Sequence, residues 1–162
     1  MRIVLDFKAF VDGGGLKKKL STLIFNPCFH CVVLYRVSSF LYRNHLELIA
    51  KIVWYINRNK YNADIDYRAD LAGGFVLKHG LGTVIGGSVV SKGRLTVYQG
   101  VTLGNDYKPP KMNPDGVMTT MPYIYSDVVI YSNAVVVGAI TIESGIVIKA
   151  GQIVHKDILN DN

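Results

Sequence analysis

The sequence predicts a parallel β-helix preceded by an α-helical segment, and three observations predict it. Branched aliphatic side chains recur at every sixth residue through most of the span from Ile65 to Val154. Glycines fall between them, where tight corners need positive φ or close backbone approach. Residues 1–62 show neither feature and instead carry helix-start signals and the positive charge.

The beat runs Ile65, Leu71, Leu77, Thr83, Val89, Leu95, Val101, then resumes in a new register as Ile124, Ile130, Val136, Ile142, Ile148, Val154. A helix repeats every 3.6 residues and a strand every two, so neither alone gives this spacing. A six-residue beat makes one short strand and its corner the repeating unit. Stacked units then build a continuous apolar column, and three units close one triangular coil, for about four coils in all. The rival reading is a β-sandwich of short strands. Thirteen positions that keep the beat, with Thr83 the one weak member, favour the coil.

In chain order, residues 1–15 form a short apolar segment ending in Gly13-Gly14-Gly15. Lys17, Lys18 and Lys19 follow, then an apolar stretch to Phe25. Asn26-Pro27 starts a helix expected over 27–43, because Asn caps and Pro fits the first turn. That helix sets Val33, Val37 and Phe40 along one side. A second helix, expected over 46–61, carries Ile49, Ile52, Val53 and Ile56, with Lys51, Arg58 and Lys60 on its other face. Residues 63–156 make the coil. Within them 105–121 holds Pro109, Pro110 and Pro114 and no periodicity, so it is expected as a loop thrown out of a corner. Residues 157–162 are a short polar tail, expected to fray.

Residues 1–62 hold ten Lys and Arg against three acidic residues; the remainder holds eight against nine, so the net +6 belongs to the N-terminal part. The helices there have two readings. They cover the open end of the coil or a neighbouring subunit, or they rest a basic amphipathic surface on an anionic membrane. No stretch reaches the ~18 uncharged apolar residues of a membrane span, and no signal peptide is visible. Cys28 and Cys31 spell C-x-x-C in an apolar stretch without a second ligand pair, so free buried thiols are expected rather than a redox or metal site. Without a disulfide framework the cytoplasm is the expected compartment. No phosphate loop, zinc constellation or nucleic-acid motif occurs, so neither a metal nor a nucleic-acid partner is expected.

Asp64-Ile65, the run Gly74-Phe75-Val76-Leu77-Lys78-His79, Val101-Thr102-Leu103-Gly104 and Ile148-Lys149-Ala150-Gly151 together resemble the hexapeptide-repeat acyltransferases, most closely their serine acetyltransferase branch. The resemblance covers about two thirds of the chain. It implies a left-handed coil, a homotrimer, and acetyl-CoA bound between subunits near Gly104, Ser132 and Ala150. It also implies a general base, His79, paired with the carboxylate of Asp64. The chemistry agrees: a hydroxyl attacking a thioester must lose its proton, neutral imidazole suits that at pH 7, and a carboxylate would fix the ring tautomer. A backbone N–H near Gly104 is the candidate oxyanion donor. Asp66 and Asp70 are rival partners for His79.

Two positions depart from the branch. Lys78 stands where an aspartate holds the serine ammonium, and Thr120-Met121 replaces a basic–histidine step that helps hold its carboxylate. From Lys78 and Met121 the expected acceptor is a sugar hydroxyl, and the resemblance to relatives with an altered pocket implies a surface polysaccharide (capsule, O-antigen or exopolysaccharide), with a lipid-linked form at the inner face of the membrane fitting the basic helices. Serine O-acetylation is the alternative, and a non-catalytic assembly subunit the reading from another class.

Overall fold

The computed structural model describes residues 1–160. Four α-helices lead into a left-handed parallel β-helix whose three faces are short-stranded sheets. The helices are α1 (Arg2–Val11), α2 (Leu16–Phe25), α3 (Pro27–Arg43) and α4 (Glu47–Tyr61). One face stacks β1 (Asp64–Ile65), β4 (Val84–Ile85), β7 (Thr102–Gly104), β12 (Val135–Val137) and β15 (Ile153–Val154). The second stacks β2 (Asp70–Leu71), β5 (Val90–Ser91), β10 (Tyr123–Ile124) and β13 (Thr141–Ile142). The third stacks β3 (Phe75–Lys78), β6 (Leu95–Tyr98), β11 (Val128–Ile130) and β14 (Val147–Ile148). Every pairing in these three sheets is parallel.

All thirteen residues of the six-residue beat are buried, none more than 5% exposed. Their phase differs from the expectation. Ile65 stacks on Ile85, then Leu103, Val136 and Val154. Leu77 stacks on Val97, then Ile130 and Ile148. The second coil is therefore led by Ile85, Ser91, Val97 and Leu103, two residues beyond Thr83, Val89, Leu95 and Val101. Residues two apart on a strand share its inward side, which is why both series are buried. The period is broken twice. Leu77 to Ile85 is eight residues, and Leu103 to Ile124 is twenty-one, where six would continue it. Both breaks lie at corners.

The second break is the proline-bearing insertion, which folds back as an antiparallel hairpin of β8 (Lys111–Met112) and β9 (Met118–Thr119). Asp115 near its tip pairs with Lys92 at 3.1 Å and accepts a hydrogen bond from the Tyr123 hydroxyl at 3.0 Å. Met121 at its end packs on another corner: its sulfur accepts from the Ser88 N–H at 3.3 Å, and it fills the space beside Gly86.

The column is filled by side chains with no exposed surface, so Ile130, in the middle of the third face, is a sensitive position. Ile130→Ala is expected to destabilise the fold by about 2–5 kcal/mol. Urea unfolding followed by circular dichroism measures this; a loss under about 1 kcal/mol would mean that the column relaxes around the gap.

The N-terminal residues are more helical than the sequence pattern indicates. α1 and α2 occupy the stretches expected only as apolar segments, and α1 ends on left-handed Asp12 (φ 43°) and Gly13 (φ 71°). α3 begins as expected, with the Asn26 side chain accepting from the Phe29 N–H at 3.1 Å and Pro27 in the first turn. It covers the first rung: Tyr35 Oη donates to the Ala69 carbonyl at 2.8 Å. Its packed face is Phe29, Val32 and Tyr35, whereas Val37 and Phe40 are exposed, as are Ile49, Ile52 and Ile56 of α4. Helix-to-helix hydrogen bonds explain the inversion. Ser38 Oγ donates to the Ala50 carbonyl and Asn57 Nδ2 to the Cys31 carbonyl, so small and polar residues turn inward together. α2 is exposed along almost all of its length, Thr22 being its one buried residue. No single helix among the described residues is long and apolar enough to cross a membrane.

Asp6 ties helices to coil. Its carboxylate is fully buried, accepts from Arg36 Nε at 2.7 Å and Nη2 at 3.0 Å, and accepts from the N–H groups of Gly74 and Phe75 at 2.9 Å each. Arg36 also donates to the carbonyls of Leu71 and Ala72. At the other end the tail does not fray over the described residues: Ile158 bridges to Ile142, and Asp157 accepts from the Thr141 N–H at 2.7 Å. Positions 161–162 of the expected tail lie outside the described residues.

Candidate active site

The first break in the period is the corner that carries His79. Between β3 and β4 the chain takes two more residues than a regular corner, and it does so through His79 (φ 60°), Gly80 (φ 21°) and Gly82 (φ 71°). A non-glycine residue at positive φ is uncommon and tends to be kept where the surroundings enforce it. Here the enforcement comes from both sides. The Gly82 N–H donates to the Asn62 carbonyl at 2.7 Å, and the Gly100 N–H donates to the Leu81 carbonyl at 2.9 Å. Thr83, fully buried, donates through Oγ1 to the Tyr98 carbonyl at 3.2 Å. Gly80 lies against Leu77 so closely that a Cβ would displace it. The corner is thus fixed while the imidazole of His79 stays exposed.

His79 lines a cleft of about 670 Å³ between this corner and the helices. Lys78, Gly80 and Leu81 form its floor. Phe10 of α1, Lys18, Ser21 and Thr22 of α2, Cys28 of α3 and Tyr61 of α4 form its walls. Neither the helical walls nor the contribution of Lys18 follows from the sequence, because no motif links residues some sixty positions apart. Cys28 and Cys31 are free thiols. Burial pushes Cys28 up, against the opposing pull of a His79 backbone hydrogen bond and the Lys78 charge, and burial pushes Cys31 up to about 12. Both therefore hold their protons near neutrality and act as small apolar wall residues.

The expected Asp64–His79 pair is not formed. Asp64 Oδ1 accepts from Trp54 Nε1 at 2.9 Å, and Arg58 Nη1 lies 3.5 Å from Oδ2. The last turns of α4 pass over β1 and bring an indole and a guanidinium nearer to Asp64 than the histidine. The rival acids are also engaged: Asp66 with Arg68 at 2.6 Å, and Asp70 with Arg2 and Arg43 at 2.6 Å each. Burial alone would push the Asp70 carboxyl up; Arg43 and Arg2 overcome that and hold it below the usual carboxylate range. Among the described residues, no hydrogen bond joins an acid to His79.

Ser132 and Ala150 do not line the cleft, but they share its edge of the prism. Both follow strands of the third face at the corner leading to the first, as His79 does, and the Gly151 N–H donates to the Ser132 carbonyl at 2.9 Å. Rungs are about 4.8 Å apart, so the three form a line along one edge. Gly104 lies at the end of β7, on the next edge, where its carbonyl accepts from the Gly138 N–H at 3.0 Å. Met121 likewise does not line this cleft. No group of three or more metal-ligating side chains occurs among the described residues.

No family model matches the chain. It is similar to a serine acetyltransferase of Synechococcus elongatus, 31% identical over 107 residues, which is 65% of this chain and 44% of that protein. It is also similar to a serine acetyltransferase of Bacillus subtilis, 30% identical over 106 residues, 62% of this chain and 49% of that one. The chain thus spans less than half the length of these curated relatives. Among solved structures, the serine acetyltransferase of Neisseria gonorrhoeae superposes with a TM-score of 0.84 at 27% identity, over 96% of this chain and 59% of that one. These likenesses overturn the expected sugar or polysaccharide acceptor. That expectation rested on Lys78 and Met121, whereas the similarity extends over the lead-in helices, the His79 corner and the rungs, and its bearers are serine acetyltransferases.

Proposed function

We propose that the chain is an acetyl-CoA-dependent serine O-acetyltransferase working as a trimer, with His79 as its general base. The observation that carries the reading is an exposed imidazole on a rigid, irregular corner beside a cleft, in a coil like that of serine acetyltransferases. A ring nitrogen of His79 takes the proton from the serine hydroxyl as its oxygen attacks the thioester carbon. The tetrahedral adduct collapses with cleavage of the C–S bond, and the thiolate of CoA takes the proton back from the imidazolium. The edge that runs from His79 past Ser132 to Ala150 supports a donor lying along the prism. Gly104 would supply an oxyanion N–H only from another subunit, so in this reading the site is completed by assembly.

Purified protein given acetyl-CoA and L-serine is expected to release CoA thiol in step with O-acetylserine, read by a thiol reagent and by mass spectrometry. Thiol release that does not depend on serine, or none at all, would overturn the proposal.

A further inference from the structure

The cleft beside His79 contains two ammonium groups and no carboxylate. Lys78 stands at the end of β3, next in sequence to His79, and Lys18 lines the same cleft from α2. Neither lysine has an ion-pair partner among the described residues, although Lys51, Lys92 and Lys108 each have one. Lys18 is also seated: its aliphatic stem lies over Gly14, where any Cβ would collide with it. Ser21, Thr22, Asn26 and Tyr61 add polar lining without an acidic group. A cationic group entering this space meets two like charges, and an anionic group meets two opposite ones.

We infer that Lys18 and Lys78 form an anion clasp that holds the carboxylate of the acceptor beside His79. The inference rests on the acyl-transfer reading and deepens it by naming the acceptor class: a short hydroxy acid recognised at its carboxylate. Lys78 then takes over work that the Thr120-Met121 step cannot do, since neither of those side chains carries a charge. The acceptor's ammonium, by contrast, has no counter-ion within the cleft and adds nothing to binding.

Three acceptors separate these contributions. L-serine carries hydroxyl, carboxylate and ammonium; glycerate lacks the ammonium; ethanolamine lacks the carboxylate. Glycerate is expected to be acetylated about as well as L-serine, and ethanolamine at least tenfold less well in kcat/KM. Charge-assisted hydrogen bonds of this kind predict that Lys18→Ala and Lys78→Ala each raise the KM for L-serine about tenfold or more. The KM for acetyl-CoA should stay within about twofold, and Lys78→Arg should restore part of the loss. Ethanolamine turning over as fast as serine, or an unchanged serine KM in both alanine variants, would overturn the clasp and leave the acyltransferase intact. If no acceptor is acetylated, the functional reading fails, and calorimetric titration with glycerate still decides the clasp. Binding abolished in both alanine variants upholds it, and absence of binding to the unaltered protein refutes it.

Discussion

His79→Ala is expected to lower acetyl transfer by about 10²–10⁴-fold, the contribution that a positioned general base makes. The loss should fall on kcat, because an imidazole that moves a proton in the transition state adds little to binding of the thioester. Thiol release with saturating acetyl-CoA and L-serine measures it. The side chain is exposed and its backbone is held by neighbours, so circular dichroism and the thermal midpoint should hardly change. Turnover within a few-fold of the unaltered protein would remove His79 from the chemistry. Asp64 is expected to behave differently from a dyad partner. It is bound by Trp54 and Arg58, and its loss should first loosen α4 from β1.

The second large effect is on stability. Asp6→Ala is expected to cost about 3–5 kcal/mol, the range for breaking a buried ion pair by removing one partner. The carboxylate has no exposed surface and satisfies a guanidinium and two backbone N–H groups at once. Without it, Arg36 keeps its charge beside the first rung, and the amides of Gly74 and Phe75 lose their acceptor. Urea unfolding monitored by circular dichroism would show a lower midpoint. A cost below about 1 kcal/mol would mean that water replaces the carboxylate.

Much of the coil was legible in the sequence because its driving force is periodic. Side chains filling the column must be aliphatic, and the column repeats every six residues. What the period could not reveal is its own phase. Leu95 and Val97 are both buried and both branched, so a beat drawn through Leu95 survives although the stacked residue is Val97. Only the strand pairings, Ile65 with Ile85, Leu71 with Ser91 and Leu77 with Val97, expose the two added residues at the His79 corner.

Helix faces were harder to read. Ile49, Ile52 and Ile56 satisfy any amphipathic template, yet Ala50 and Asn57 face inward because Ser38 and Asn57 find backbone acceptors there. At the site, His79 was legible as a residue type at a corner, and its resemblance to a known motif named its role. Its surroundings were not. The resemblance pairs Asp64 with the histidine, and neither a shared motif nor the fifteen-residue spacing reports that an indole and a guanidinium lie closer. Lys18 was visible only as one of three consecutive lysines, since nothing in the sequence says that α2 folds back over residue 79. Lys78 was weighed against an ammonium group without Lys18, which lines the same cleft. The argument from Lys78 led to an acceptor that the likeness to serine acetyltransferases overturns.

The two interruptions of the six-residue rhythm both occur at vertices and leave the rungs on either side in register. Rung geometry is set by ladder pairing and column packing, and neither depends on how many residues pass round a bend. Such an architecture separates scaffold from innovation: mutations that lengthen a vertex can be sampled without threatening the frame. A two-residue enlargement presents one reactive ring, and a fifteen-residue one projects a whole hairpin, each tolerated by the same prism.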